Sequence, residues 1–393
     1  MPRSYDAIVV GARVAGATTA LPLARAGMRV LLIDRAGYGT GVLSTHAFMR
    51  GGVVQLARLG LADDLVAAGT PAIRRTVIRY GDVDEVIDVR PSAHVDALYA
   101  PHRAVLDRIL IDAAIRAGVD VRFRTTLTAL RRDTEGRVLG IEATGADGTS
   151  LEAHAPITVG ADGLRSRVAR EVGALTYERG TAASSMVVGY WSGVDVDGYQ
   201  WLYGTRQAAG VIPTNDGQVS VWTGVPRDHF LHRLRHRPDL GFHEVLRAIA
   251  PDWAAALAGG HQHGPLRGFL GIPGFLRQPW GRGWALVGDA AYFKDPLTTH
   301  GMTDALRDAE LLARAILAAA DGRDSWDRAL ANYQDTRDAL SHDLFALTDR
   351  VATFAWRMDE LRPLLLDVAR AMHPTVDHLL ALDAVAASAE ETR

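Results

Sequence analysis

Cysteine is absent from all 393 residues. That excludes disulfides, thiolate nucleophiles, iron–sulfur clusters, cysteine zinc sites and cysteinyl cofactor links in one step, and it leaves the redox compartment unmarked. Lysine is nearly absent too: Lys294 is the only one, so arginine carries the positive charge. The arginines are dispersed among as many acids, for a formal net charge of −3, and form no basic stripe with interleaved aromatics. Nucleic acid is therefore not an expected partner. No stretch offers about 18 uninterrupted apolar residues, so no integral membrane segment is expected. The short run Ala7-Ile8-Val9-Val10 follows Asp6 and ends in a glycine turn, unlike a secretion signal, and the location read from it is cytoplasmic. Repeats and low-complexity tracts are also missing. What remains is a chain 48% apolar and 23% charged, the balance of a soluble enzyme with two or so structural units.

The apolar periodicity is informative along most of the chain. Tyr5 to Val10 reads as a buried strand, Gly11 to Gly16 as a turn, Ala17 to Ala26 as a helix closed by Gly27, and Met28 to Ile33 as a second strand. This is a βαβ unit. Thr76 to Val89 alternates as strands do, Arg103 to Ala117 reads as a helix, and Leu127 to Ala143 as a hairpin. Ile157 to Gly163 is a strand entering a turn. Residues 180 to 275 are β-rich, with a polar helix near Phe242 to Leu257, and from Thr303 onward the pattern is helical.

The turn Gly11-Ala12-Arg13-Val14-Ala15-Gly16 lies between strand and helix, and Asp34 ends the next strand eighteen positions after Gly16. Gly11 permits a tight turn, the helix N-terminus offers N–H groups to a pyrophosphate, and Gly16 permits close packing. Arg13 stands where a second glycine is usual and adds a guanidinium. Asp34 suits ribose hydroxyls and disfavours a 2′-phosphate, which speaks against NADP in this turn. The turn alone leaves FAD and NAD open.

Two further segments narrow the choice: Gly160-Ala161-Asp162-Gly163-Leu164-Arg165-Ser166-Arg167-Val168, and Gly288-Asp289-Ala290-Ala291-Tyr292 continuing through Pro296 and Gly301 to Asp304-Ala305. With the first turn, in this order, they resemble the FAD-dependent monooxygenases of the para-hydroxybenzoate hydroxylase type and the related geranylgeranyl-reductase-like flavoproteins. The resemblance spans residues 1 to about 320 and rests on those motifs. It implies an α/β fold, α+β in the second unit: a Rossmann-like FAD-binding domain (1–75, 98–178, 276–320) interleaved with a mostly antiparallel β-sheet substrate domain (76–97, 179–275). C-terminal helices (321–393) follow.

The resemblance also implies roles. Gly11, Arg13, Val14, Ala15, Gly16, Asp34 and Arg35 would serve the nucleotide, Gly288 and Asp289 the ribityl chain, and backbone N–H groups of Gly301, Met302 and Thr303 the N1 and C2 carbonyl edge of the ring. Reduction places negative charge on that edge, which a helix N-terminus stabilises. Asp162 and Gly163 would support the pyrophosphates of FAD and NAD(P)H, Arg50 and Arg103 would reach the cofactor, and Pro296 would lie against the ring. Lys294, His46 and His300 are weaker catalytic candidates near the ring. His261 and His263 lack a third ligand, so no metal is expected.

The implied reaction is hydroxylation of an aromatic or polycyclic small molecule through a flavin C4a-hydroperoxide. NAD(P)H would be a transient reductant, or a partner reductase would supply electrons. Trp191, Tyr199, Trp201, Tyr203 and Trp222 would suit such a substrate. Alkene reduction of the geranylgeranyl-reductase type is the main alternative, and a non-catalytic flavin-binding protein is another. A flavin halogenase needs Trp-x-Trp-x-Ile-Pro and a lysine downstream of the dinucleotide turn; here Trp201 lacks its partner, and Arg74, Arg75 and Arg79 occupy that stretch without a lysine. A monomer or homodimer is expected.

Overall fold

Four consecutive apolar residues at Ala7–Val10 have no polar face to turn to water, and they form the central strand β1 of a parallel sheet. The structure, a computed structural model, describes residues 3–391, with side chains through Leu382; residues 1–2 and 392–393 lie outside the described residues. On one side of β1 lie β2 (Val30–Ile33) and β3 (Asp120–Arg122); on the other lie β4 (Thr158–Gly160) and β5 (Trp284–Leu286). The order is β5-β4-β1-β2-β3, all parallel, with Trp280–Gly281 antiparallel at the β5 edge.

Both faces of this sheet are covered, which is why its strands read as unbroken apolar runs. Ala7 and Val9 pack with α1 (Val14–Arg25), α2 (Arg50–Arg58), α3 (Arg103–Arg116) and α4 (Gly301–Ala320). Ile8 and Val10 face the opposite way, onto a small sheet of Arg3–Ser4, Thr125–Arg132, Val138–Gly145 and Ser150–His154.

A second, larger sheet holds Ser184–Ser192, Tyr199–Gly204, Gln207–Pro213 and Gln218–Pro226, with the hairpin Arg75–Tyr80/Val83–Asp88 at one end and short strands from 261–269 at the other. Its pairings are antiparallel except where Tyr199–Gly204 runs parallel to Arg75–Tyr80. One face joins the main core through Met186, Val188, Trp201 and Trp222. The other packs on Phe242, Val245 and Leu246. The architecture is therefore mixed α/β with a helical C-terminus, ending in α5 (Trp326–Ala352) and two further helices.

Two local expectations change. The expected turn through Gly16 ends at Arg13, and α1 begins at Val14, because only Gly11 leaves the ordinary backbone region, at φ 109°. The expected polar helix near Phe242 to Leu257 is two helices, Pro238–Ile249 and Pro251–Gly259, with an apolar face. Pro251 forces Ala250 out of the helical region, to φ −154°, and the chain breaks there. Among the described residues no helix is long and apolar enough to cross a membrane.

Candidate functional site

At the end of β1 the chain turns through Gly11, whose N–H donates to the Ile33 carbonyl at 2.8 Å. A Cβ there would run into the Ala161 carbonyl, and one on Gly16 into the Gly11 carbonyl. These glycines let three backbone segments meet where α1 starts. Arg13 is the N-cap but makes no side-chain cap bond, and the first turn of α1 contains no acid. Its N–H groups therefore remain an anion-attracting end. Asp34 pins the turn, accepting from Ala12 N at 2.8 Å and Ala36 N at 2.7 Å. A carboxylate with two such bonds keeps lone pairs for hydroxyls.

Arg103, at the start of α3, pairs with Asp107 at 3.0 Å. It lies close enough to Arg13, His46, His102, Tyr190 and Asp289 to bear on the protonation of each. Asp289 sits in a short turn after β5. Its neighbour Gly288 has φ 61°, and a Cβ there would come 2.8 Å from the Ala15 methyl. The carboxyl is recessed though still partly reached by solvent, and burial pushes it up to about 6 against the pull of Arg103 and Lys294. Next along the chain, Pro296 opens a short turn whose cap, Asp295, accepts from Leu297 N at 3.0 Å and from Ser184 N and Oγ at 2.7 Å. That buried carboxylate clamps the turn to the larger sheet. Gly301, exposed and with open space on its side-chain side, then starts α4, followed by half-buried Met302 and buried Thr303.

Of the remaining candidates, Asp162 follows the Ala161 carbonyl against which Gly11 turns, Arg35 bears on Arg13 and Lys294 on Asp289. Asp162 turns back onto its own helix, accepting from Ser166 Oγ at 2.5 Å, Arg167 N at 2.6 Å and Val168 N at 3.2 Å, while Gly163 supplies φ 77°. Its carboxylate is a helix cap. Arg50 is taken up by Ser92 Oγ at 2.5 Å and the Arg90 carbonyl at 2.8 Å. Arg35 is exposed beside Arg13. Lys294 and His300 are enclosed by protein atoms, both joined to Asp304. Among the described residues no group of three His, Asp or Glu is arranged for a metal; His263 instead meets Ser192 Oγ at 2.8 Å.

His46 is fully buried with φ 64°, a left-handed backbone that costs free energy for any residue other than glycine. Its Nε2 lies 2.6 Å from the hydroxyl of Tyr190, and its ring stacks on His102 with centroids 5.0 Å apart. Burial, with Arg103 and His102 nearby, holds His46 well below its usual pKa, so the ring is neutral. Tyr190 is half-buried, and burial raises its phenol. Sequence reasoning missed Tyr190, His102 and Asp295. His102 had a signal, since it directly precedes a helix and caps it, accepting from Ala104 N at 3.3 Å.

The residues present fit FAD. An acid-free helix N-terminus beside Arg13 and Arg103 suits a pyrophosphate, Asp34 a ribose, recessed Asp289 a hydroxylated chain, and the open start of α4 an electron-rich ring edge. Glycines leave room where any Cβ would intrude.

Known proteins are similar to this chain in sequence and in fold. Digeranylgeranylglycerophospholipid reductase 2 of Methanothermobacter thermautotrophicus is 28% identical over 346 residues, spanning 84% of this chain and 82% of the relative. The myxobacterial chondrochloren halogenase CndH superposes with a TM-score of 0.77 at 26% identity, covering 86% of this chain and 79% of that one. PqsL of P. aeruginosa, solved with 2-aminobenzoylacetate, shares the fold with a TM-score of 0.78 at 21% identity, covering 92% of this chain and all of that one. The family described as FAD binding domain matches residues 4–348, and the chain belongs to that family of FAD-binding oxidoreductases.

Proposed function

We propose that the chain is an FAD-dependent monooxygenase that hydroxylates a small aromatic molecule bearing a polar group, with NAD(P)H as reductant. The reading is carried by the Tyr190–His46 pair. A phenol hydrogen-bonded to a neutral imidazole, on the side of the larger sheet that joins the main core, exchanges a proton with a hydroxyl or amino group rather than with an aliphatic chain. Bound FAD supplies two-electron chemistry and, with oxygen, the atom to be transferred.

The chain's own residues supply the rest. The N-terminus of α1 with Arg13 and Arg103 binds pyrophosphate, Asp34 the ribose, Asp289 the ribityl hydroxyls, and the first amides of α4 the ring edge. Pro296, in a turn held by Asp295, would lie against the ring.

The test uses reduced enzyme mixed rapidly with isotopically labelled oxygen gas. An oxygen-dependent transient in the flavin absorbance, followed by label in the product, is the expected result. Absence of both with every aromatic tried sinks the reading, whereas their presence separates it from a non-catalytic flavin protein. Tyr190→Phe is expected to keep the oxidised flavin spectrum and to lower turnover about tenfold, the worth of one hydrogen bond in a transition state. An unchanged rate removes Tyr190 from the proton path.

Alkene reduction is a second reading, favoured by the reductase relative at 28% identity. It predicts oxidation of reduced FAD by an alkene without oxygen. Halogenation is not proposed, because Lys294, the only lysine, is enclosed and ion-paired with Asp304.

A further inference from the structure

The proposed reading gives FAD two helix N-termini, and they differ in one respect. The first turn of α1 has no acid, whereas that of α4 contains Asp304, with its side chain 4% exposed. A carboxylate at that position is itself favoured by the positive end of the helix, and it offsets the attraction that end would offer to a negative ligand. A cation beside it restores that attraction.

The surroundings leave one group for this. Arg307 approaches Asp304 at 3.3 Å, but its guanidinium is committed to Asp308 at 2.6 and 2.8 Å and to Ser341 and Thr375 at 2.8 and 3.1 Å. His300 meets Asp304 through Nδ1 at 2.9 Å; burial, Lys294 and Arg307 hold it well below its usual pKa, so it brings no charge. Lys294, which burial and then Arg307 hold well below the usual lysine range, is 6% exposed, over the ring of Tyr292 at 5.0 Å and paired directly with Asp304. Asp289 is near enough to feel it. Whichever of Lys294 and Asp304 holds the proton, the pair has no net charge.

The geometry points to Lys294 as a positioning residue that acts through Asp304: by cancelling that carboxylate it keeps the N-terminus of α4 attractive to the negative charge of reduced FAD, and so sets the cofactor's midpoint potential. The inference rests on the FAD-dependent reading above. Reduction of the ring by two electrons and one proton leaves one negative charge on it, so any net charge buried nearby biases the reduced form over the oxidised one.

The experiment compares the midpoint potential of FAD bound to the wild type, Lys294→Met, Asp304→Asn, the double variant and Lys294→Arg. In Lys294→Met, reduced FAD is expected to bind at least tenfold more weakly relative to oxidised FAD, which for a two-electron couple lowers the potential by about 30 mV. Asp304→Asn moves it the other way, the double variant returns toward the wild type, and Lys294→Arg stays with it. An unmoved potential in Lys294→Met, or a double variant as low as the single one, overturns the inference. Should Lys294→Met not fold, Asp304→Asn decides: a raised potential supports the inference and an unchanged one overturns it. Failure of the wild type to bind FAD removes the functional reading and this inference together, whereas bound FAD with unmoved potentials removes this inference alone.

Discussion

Gly11→Ala is expected to lower the unfolding free energy by roughly 3 kcal/mol or more, while Gly27→Ala costs about 1 kcal/mol. Both glycines have positive φ, 109° and 87°, so both replacements pay for a left-handed backbone. They differ in space. A Cβ on Gly27 meets nothing within 4 Å, whereas one on Gly11 strikes the Ala161 carbonyl at the junction of β1 and β4. Backbone cannot yield there without opening the parallel sheet. Urea unfolding of both variants checks this, and equal destabilisation would mean that the crowding at Gly11 relaxes freely.

Asp289→Asn is expected to act in opposite directions on the two forms of the protein. Its carboxyl rises to about 6 in the folded chain through burial, against roughly 4 when unfolded. The folded state therefore binds the extra proton between these values, so Asp289 favours folding below about pH 4 and loses that contribution as pH rises through 6. The neutral amide avoids the loss. Cofactor-free Asp289→Asn should be more stable than the wild type by about 2 kcal/mol at pH 7.5, with the difference vanishing near pH 4. Its FAD affinity should meanwhile fall about tenfold or more, because a carboxylate accepts hydroxyl hydrogen bonds more strongly than an amide oxygen does. Thermal unfolding at the two pH values and fluorescence titration with FAD measure both. A variant that binds FAD as tightly as the wild type sinks the ribityl assignment.

Much of the fold was legible in the sequence because the parallel strands are buried on both faces and announce themselves as short apolar runs between turns. The glycine positions were legible too, since a backbone junction admits no other residue. The substrate side was not. Trp191, Tyr199, Trp201, Tyr203 and Trp222 stood out as aromatics, yet all five are buried, and Trp191 stacks on Phe242 at 5.4 Å behind the larger sheet. Tyr190, one residue earlier, points the opposite way and meets His46. Alternation along a strand says that neighbours face apart, but not which face meets the cofactor half. Likewise the sequence offered Lys294 as a conspicuous single lysine, while its partner Asp304 becomes visible only when the loop folds under α4.

The order of strands in the parallel sheet has a consequence for synthesis. Its central strand, β1, is made before the rest of the sheet, yet its neighbour β4 comes at residues 158–160 and the outer β5 at 284–286. With translation at roughly 5–20 residues per second, one edge of β1 stays unpaired for many seconds until β4 is made, and the outer edge of β4 then waits for β5 while the four long strands of the larger sheet are made in between. An open, fully apolar edge is an aggregation hazard. Nascent chains halted before Trp284 should therefore recruit chaperones and fail to retain flavin, and a few dozen residues more should change both.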